Sequence, residues 1–139
     1  MNIENCLVDL FERYGYISYI DNTIYDIIIE KSEIKYNIEL KISNNTFRFD
    51  KSIMKFLDIQ KEKKRLNNFI LIIIGYMDKS TKCEIETLYN IRIFDINVII
   101  NAAEPFSDLK STLISLLPFS IKDIDKDNDF NNHSDIFCL

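Results

Sequence analysis

The sequence predicts an α/β fold in which a mixed central sheet is flanked by helices. Three observations lead to this prediction. Apolar residues recur at helical spacing near the N-terminus, three strand-like segments then follow one another without a helix, and the second half alternates helical patterns with apolar runs. The 139 residues, 47% of them hydrophobic, have the length of one domain and enough apolar material for an ordinary core.

The first half of the chain predicts one helix and three strands. Apolar side chains spaced by three and four positions indicate a helix over residues 3–14, with Asn2 as a plausible N-cap. The segments after it are rich in isoleucine and tyrosine, which is typical of strands. These predicted strands are residues 16–20, 23–30 and 35–43. Turns are predicted at residues 30–35, which are mostly charged, and at Ser43–Thr46.

The second half of the chain alternates helical and strand patterns. The continuous apolar run that begins at Asn68 and stops before Asp78 indicates a strand covered on both faces. The predicted elements are a helix at 50–66, a strand at 68–77, a helix at about 80–90, a strand at 91–101 and a helix at 107–117. Such alternation predicts parallel crossovers and a sheet sandwiched between helices.

The charge of the chain is unevenly distributed. A net charge of -5 disfavours a nucleic-acid partner when it is taken alone. Residues 104–139, however, hold seven acidic and three basic residues, a net charge of -4, so the rest of the chain is nearly neutral. It also contains a basic cluster between Lys61 and Arg65. We therefore predict a folded domain over residues 1–122 and an acidic polar tail over 123–139.

Cysteine usage and apolar run lengths indicate a cytoplasmic protein. The three cysteines, Cys6, Cys83 and Cys138, form no CxxC pair, which fits unpaired thiols in a reducing compartment. The longest apolar run, Phe69–Ile74, is too short to span a bilayer, and residues 1–20 lack the apolar region of a signal peptide. We expect no membrane partner.

Three charged residues stand inside the most strand-like segments. Glu39 and Lys41 alternate with apolar residues and therefore point to one face of their strand. Antiparallel pairing through the turn at 30–35 would bring Asp26 near Glu39 on that face. Two converging carboxylates suit Mg²⁺, which takes one or two protein carboxylates and keeps waters for a substrate phosphate. A neighbouring lysine can orient water or offset charge in a transition state.

This arrangement resembles the PD-(D/E)xK nuclease superfamily, which has the restriction-endonuclease-like fold. The superfamily places an acidic residue on one strand and (D/E)-x-K on the adjacent strand, matched here by Asp26 and by Glu39-Leu40-Lys41. Its α-β-β-β-α-β core follows the order predicted for residues 3 to about 101. Tyr25 stands where the motif has proline.

The resemblance implies a function and a set of site residues. Asp26, Glu39 and Lys41 would be catalytic, and Mg²⁺ or Mn²⁺ would be bound by Asp26, Glu39, the Leu40 carbonyl and Glu4, since many members place a glutamate on the first helix. The implied activity is hydrolysis of phosphodiester bonds, with DNA favoured over RNA, in a defence-type system. A homodimer or a larger protein assembly is also implied.

Simpler interpretations of the same residues stay open. Glu39 and Lys41 can form an ion pair on a solvent-facing strand, which would contribute only about 0.2–1 kcal/mol. The basic cluster can be a solvated helix face, or Lys61, Lys64 and Arg65 can contact a phosphate backbone. The alternatives to a nuclease are a non-catalytic restriction-endonuclease-like module that binds nucleic acid or protein, and an α/β interaction domain.

Overall fold

The computed structural model describes residues 1–121, which form five helices and five strands. The helices are α1 (Ile3–Arg13), α2 (Lys51–Glu62), α3 (Lys79–Tyr89), α4 (Ile96–Ala103) and α5 (Ser107–Leu116). The strands are β1 (Ile17–Ile20), β2 (Ile27–Lys31), β3 (Ile34–Thr46), β4 (Phe69–Tyr76) and β5 (Arg92–Phe94). The predicted boundary between a domain ending at 122 and a tail over 123–139 lies outside the described residues.

The five strands form one mixed sheet in the order β1-β2-β3-β4-β5. The first three strands pair antiparallel, whereas β3 pairs parallel with β4 and β4 pairs parallel with β5. The prediction of an α/β fold with a mixed central sheet flanked by helices is confirmed. The parallel crossovers expected for the second half are also present.

Two apolar cores lie on opposite faces of the sheet. Helices α1, α4 and α5 cover one face, where their apolar residues pack on Ile38, Ile70 and Ile72. Helices α2 and α3 cover the other face, where Leu71 and Ile73 are buried. Strand β4 contributes to both cores, and this explains why its sequence is a continuous apolar run.

The β2–β3 hairpin fixes the register of the strands that carry the charged residues. Ser32 and Glu33 form its turn with φ values of 53° and 67°, as a two-residue turn with both central residues in the left-handed region requires. Ile27 consequently pairs with Ile38. Asp26 lies one step beyond that pair, where continuing the register would put it opposite Glu39.

Helix α2 begins at an acidic cap. The Asp50 side chain accepts a hydrogen bond from the Ile53 N–H at 3.0 Å, which satisfies one of the free amides of the first turn. The helix ends at Glu62, earlier than the predicted residue 66, because Lys64 takes a φ of 56° that a helix does not accommodate.

The prediction of one strand over residues 91–101 was wrong. The strand stops at Phe94, and the second part of the segment is helix α4. Asp95 changes the structure at this point, because its buried side chain accepts a hydrogen bond from the Val98 N–H at 3.1 Å and so caps a helix. The isoleucines beyond it then fill the core at helical spacing.

The predicted turn at Ser43–Thr46 is also not formed as a turn. Strand β3 continues to Thr46, with an irregularity in its pairing between Ile42 and Thr46. The neighbouring strand holds the segment extended, since the Phe47 N–H donates to the Tyr76 carbonyl at 2.8 Å.

Gly75 permits close approach of β3 and β4, and this gives a first prediction. A Cβ atom at position 75 would lie 3.0 Å from both the Asn45 carbonyl oxygen and the Ser43 Cβ. We expect Gly75→Ala to lower the free energy of unfolding by about 1–3 kcal/mol through overpacking. Urea denaturation would measure this, with Asn44→Ala on the exposed side of β3 as the control. Wild-type stability of Gly75→Ala would contradict the close packing.

No helix within residues 1–121 combines the length and the apolar character that crossing a bilayer requires.

Candidate active site

Asp26 lies at the point where β2 begins, and it makes two hydrogen bonds to β3. Its N–H donates to the Ile38 carbonyl at 3.0 Å, and its carboxylate Oδ2 accepts from the Leu40 N–H at 2.7 Å. These two partners lie on either side of Glu39 in the sequence. The carboxylate of Asp26 is therefore held beside Glu39 by a backbone amide.

Glu39 and Lys41 point to the face of the sheet that α2 covers. They pair across the ladder with Leu71 and Ile73, which belong to the core on that face. The Lys41 ammonium lies 5.3 Å from the centre of the Phe56 ring on α2 and 3.9 Å from a carboxylate oxygen of Glu39. The side chain of Glu39 is 15% exposed and that of Lys41 is 32% exposed, so both are partly shielded from solvent.

The electrostatics of the site concentrate negative charge. Burial raises the pKa of Glu39 above its ordinary value, and the charge of Asp26 raises it further, whereas Lys41 acts in the opposite direction. The ammonium therefore does not offset the combined effect of burial and the second carboxylate. A cation bound between Asp26 and Glu39 would remove this penalty.

The Leu40 carbonyl points toward the same edge as the Asp26 carboxylate. The N–H and C=O of one strand residue point to the same side of the strand. The Leu40 N–H points at Asp26, and β2 begins only at Ile27. The carbonyl of Leu40 is therefore directed to the place where the paired part of the hairpin has ended.

The donor set fits a hard divalent cation. It consists of two carboxylates and one backbone carbonyl, which are oxygen ligands of the kind that Mg²⁺ and Mn²⁺ prefer. Within residues 1–121 there is no group of three or more histidine, cysteine, aspartate or glutamate side chains suited to a metal ion. A cation held here would keep several waters, which is the usual state of protein-bound Mg²⁺.

Glu4 is not brought to the two carboxylates. It lies in the first turn of α1 and borders a pocket together with Ile42 and Leu116. Ile42 pairs with Ile74, which belongs to the core on the α1 side of the sheet. The structure thus places Glu4 on the side of the sheet opposite to Glu39 and Lys41.

Gln60 is a polar residue on the site face of α2. Its Oε1 is buried and has no hydrogen-bond partner among the described residues. Gln60 lies one helical turn beyond Phe56, about 6 Å further along the helix axis. Two residues of a strand span nearly the same distance, so one turn of α2 corresponds to a step of two residues along β3. Because α2 returns antiparallel to β3, and Phe56 lies at Lys41, Gln60 lies near the level of Glu39.

The three predicted basic residues do not all line the same cavity. Lys61 and Lys64 line a cavity, which Arg92 also lines. Arg65 is not among the residues that line it; its carbonyl accepts a hydrogen bond from the Tyr25 hydroxyl at 3.3 Å. Sequence reasoning missed Arg92, because no local pattern connects a strand residue with lysines about 30 positions earlier.

Comparison with known proteins gives no relative from which a function could be transferred: no protein-family model, no curated protein and no solved structure matches the chain.

The raised pKa of Glu39 predicts a pH-dependent effect of Glu39→Gln in metal-free buffer. Since the folded pKa lies above the unfolded one, wild-type stability falls as pH rises through these two values. We expect Glu39→Gln to have the higher free energy of unfolding at pH 7 and to lose this advantage below about pH 4. Urea denaturation with EDTA at both pH values tests this. The exposed Glu62→Gln is the control, and lower stability of Glu39→Gln at pH 7 would contradict the prediction.

Proposed function

We propose that this protein is a metal-dependent nuclease that hydrolyses phosphodiester bonds, with Asp26, Glu39 and Lys41 as its catalytic residues. One observation supports the proposal most strongly. The hydrogen bond from the Leu40 N–H holds the Asp26 carboxylate beside Glu39, while Lys41 lies on the same face of the sheet as Glu39.

The order of the elements supports a restriction-endonuclease-like core. A helix is followed by a three-strand meander, a second helix and a strand parallel to the third. This is the α-β-β-β-α-β order of the PD-(D/E)xK superfamily. Glu39-Leu40-Lys41 lies on the third strand, as in the motif, whereas Asp26 lies one residue before the second strand and not on it.

The residues of the chain would divide the chemistry between them. A bound Mg²⁺ or Mn²⁺ would supply Lewis-acid polarisation of the phosphate and a lowered pKa of a water molecule. Asp26, Glu39 and the Leu40 carbonyl would hold this ion. Lys41 would place its ammonium at the phosphoryl oxygens and offset the negative charge that develops in the transition state.

Phe56 would assist by positioning Lys41. The ring lies 5.3 Å from the ammonium, and such a cation–π contact restricts a flexible side chain. The ammonium therefore stays on the face of the sheet where Glu39 lies instead of extending into solvent.

A cleavage assay tests the proposed function. Circular DNA, linear DNA and single-stranded RNA are incubated with the purified protein in Mg²⁺, in Mn²⁺ and in EDTA. We expect hydrolysis of at least one substrate with a divalent cation and none in EDTA. Cleavage of the circular substrate would indicate an endonuclease. Equal cleavage in EDTA and in Mn²⁺ would contradict a metal-dependent mechanism.

A second candidate function is a non-catalytic module of the same fold that binds nucleic acid or protein. The observation in its favour is that Lys41 already has two partners, since it lies 3.9 Å from Glu39 and over the Phe56 ring. Such a pair can be purely structural. Calorimetric titration with Mn²⁺ separates the two functions, because only the nuclease requires a cation at Asp26 and Glu39.

We also propose a cytoplasmic location. Cys6 is buried and Cys83 is exposed, and neither is in a disulfide. Unpaired thiols of this kind are usual in reducing compartments. A homodimer or a larger assembly stays a prediction.

A further inference from the structure

A cavity of about 460 Å³ opens at the end of the sheet where β4 and β5 begin. It lies between this end of the sheet and the last turns of α2 and α3. Its polar lining includes three basic residues and three asparagines: Lys61, Lys64, Arg92, Asn67, Asn68 and Asn90. The volume falls in the range of about 300–1,000 Å³ that is typical of small-molecule sites.

The charges of this cavity have one sign. The residues that line it include no aspartate or glutamate. Within residues 1–121, the ion pairs involve neither lysine of the cavity, nor Arg92. Three cations that share one cavity repel each other unless an anion lies between them. One carboxylate lies next to the lining, since Asp58 accepts a hydrogen bond from the Tyr89 hydroxyl at 2.5 Å. The three cations outnumber it, so the arrangement favours a negatively charged ligand.

Helix stabilisation accounts for only part of this charge. Lys61 lies in the last turn of α2 and Lys64 just after it, where cations interact favourably with the helix dipole. Arg92 lies on β5, has an exposed side chain and forms no such cap. Its position beside the lysines is not required by any helix end.

Aromatic and amide groups beside the cations fit more than a simple anion. The Lys61 ammonium lies 5.8 Å from the centre of the Tyr89 ring, which also lines the cavity. The asparagine amides offer both donors and acceptors to a base or a sugar. In a nucleotide, the phosphate would contact the cations, and the base and sugar would contact the aromatic ring and the amides.

We infer that this cavity binds a nucleotide through its phosphate, with Lys61, Lys64 and Arg92 as the contacts to the phosphate oxygens. The nucleotide can be free or part of a strand. Its placement in a strand that reaches Asp26 and Glu39 rests on the proposed nuclease function.

The structure connects the cavity to the carboxylates through Tyr25, the residue before Asp26. The Tyr25 ring contacts Phe69, which lines the cavity, at 6.3 Å between ring centres. Along β3, the cavity residue Tyr36 precedes Glu39 by three positions, an axial distance of about 10 Å. This distance is about three steps of one strand in a duplex. Tyr36 packs on the α1 side of the sheet and Glu39 points to the α2 side, so a strand seated at the carboxylates would reach the cavity only by passing along Tyr25 and Phe69.

Binding assays with a charge-neutralised variant test the inference. We would combine Arg92→Gln with Lys64→Gln, both at exposed positions, and measure the anisotropy of a 5′-phosphorylated fluorescent oligonucleotide in EDTA, where a metal-dependent nuclease does not cleave it. We expect affinity to fall about tenfold or more and the slope of log affinity against log salt to fall by about two. Lys55→Gln combined with Lys51→Gln, exposed near the start of α2, is the control and should bind like the wild type.

Two further ligands identify what the cavity recognises. Calorimetry with a nucleoside monophosphate and with inorganic phosphate should show tighter binding of the nucleotide, and the double variant should lose it. This outcome supports nucleotide binding in the cavity even if the wild type cleaves no substrate. Retention of Mn²⁺ binding by the double variant keeps the cavity distinct from the carboxylate site. Equal oligonucleotide affinity of the double variant and the wild type, or an equal loss in the control, would overturn the inference, as would nucleotide binding no tighter than phosphate.

Discussion

We expect the Lys41→Met protein to cleave phosphodiester bonds about 10²–10³-fold more slowly than the wild type while keeping its fold and its affinity for divalent cations. Methionine retains an unbranched stem over the Phe56 ring but removes the ammonium. The loss should therefore report charge in the transition state and not packing. Initial rates at saturating Mn²⁺ give the effect, and thermal unfolding checks the fold.

The control for this comparison is Lys55→Met, which makes the same replacement at an exposed position of α2 outside the site. Its cleavage rate should equal that of the wild type. Undiminished cleavage by Lys41→Met would show that the activity resides in another site or in a contaminating nuclease. If Lys41→Met also lowered the unfolding temperature, the loss of rate would reflect lost packing and not the lost ammonium.

Asp26→Asn should lose both cation binding and turnover with little change in structure. In the wild type, the Leu40 N–H donates to Asp26 Oδ2 at 2.7 Å, and the amide oxygen of asparagine can still accept this hydrogen bond. The substitution thus removes a charge but keeps the contact to β3. In metal-free buffer, stability should rise or stay unchanged, because Asp26 and Glu39 no longer repel each other.

Asp50→Asn is the matched control for this change. Asp50 also accepts a backbone hydrogen bond, at the start of α2, and asparagine is an equally good cap there. Calorimetric titration with Mn²⁺ should give wild-type affinity for Asp50→Asn and no measurable binding for Asp26→Asn. Wild-type affinity of Asp26→Asn would remove this carboxylate from the ligand set.

The elements that could be predicted from the sequence are those in which local pattern and tertiary burial agree. Helix α1 was expected over 3–14 and spans Ile3–Arg13, and the Asn2 side chain caps it by accepting from the Asn5 N–H at 2.8 Å. Strand β4 was predictable because its isoleucines are buried on both faces, so that every position favours the same structure.

The prediction failed where an apolar run satisfies two patterns. The isoleucines and valine around Asp95 suit a strand by composition and a helix by spacing, and one capping hydrogen bond to Val98 decides for the helix. Residues 43–46 have the polar composition of a turn. They are extended nevertheless, because the hydrogen bond from the Phe47 N–H to the Tyr76 carbonyl keeps this part of the chain beside β4. Neither contact can be read from neighbouring residues.

Part of the candidate site was also accessible from the sequence. Alternation along β3 and the hairpin turn are enough to place Asp26 opposite Glu39. The bond from Leu40 to Asp26 depends on where β2 begins, and the position of Glu4 depends on which face α1 covers. These features arise from tertiary packing, as does the meeting of Arg92 with the lysines of α2.

The central claim is that Asp26 and Glu39 together bind one divalent cation, and crystals soaked in Mn²⁺ test it most directly. An anomalous difference map locates manganese without reference to activity. We predict one peak within about 2.0–2.6 Å of the Asp26 and Glu39 carboxylates and the Leu40 carbonyl, and no peak there in crystals of Asp26→Asn. The contradicting result is a wild-type map in which this position has no peak while manganese is bound elsewhere on the protein.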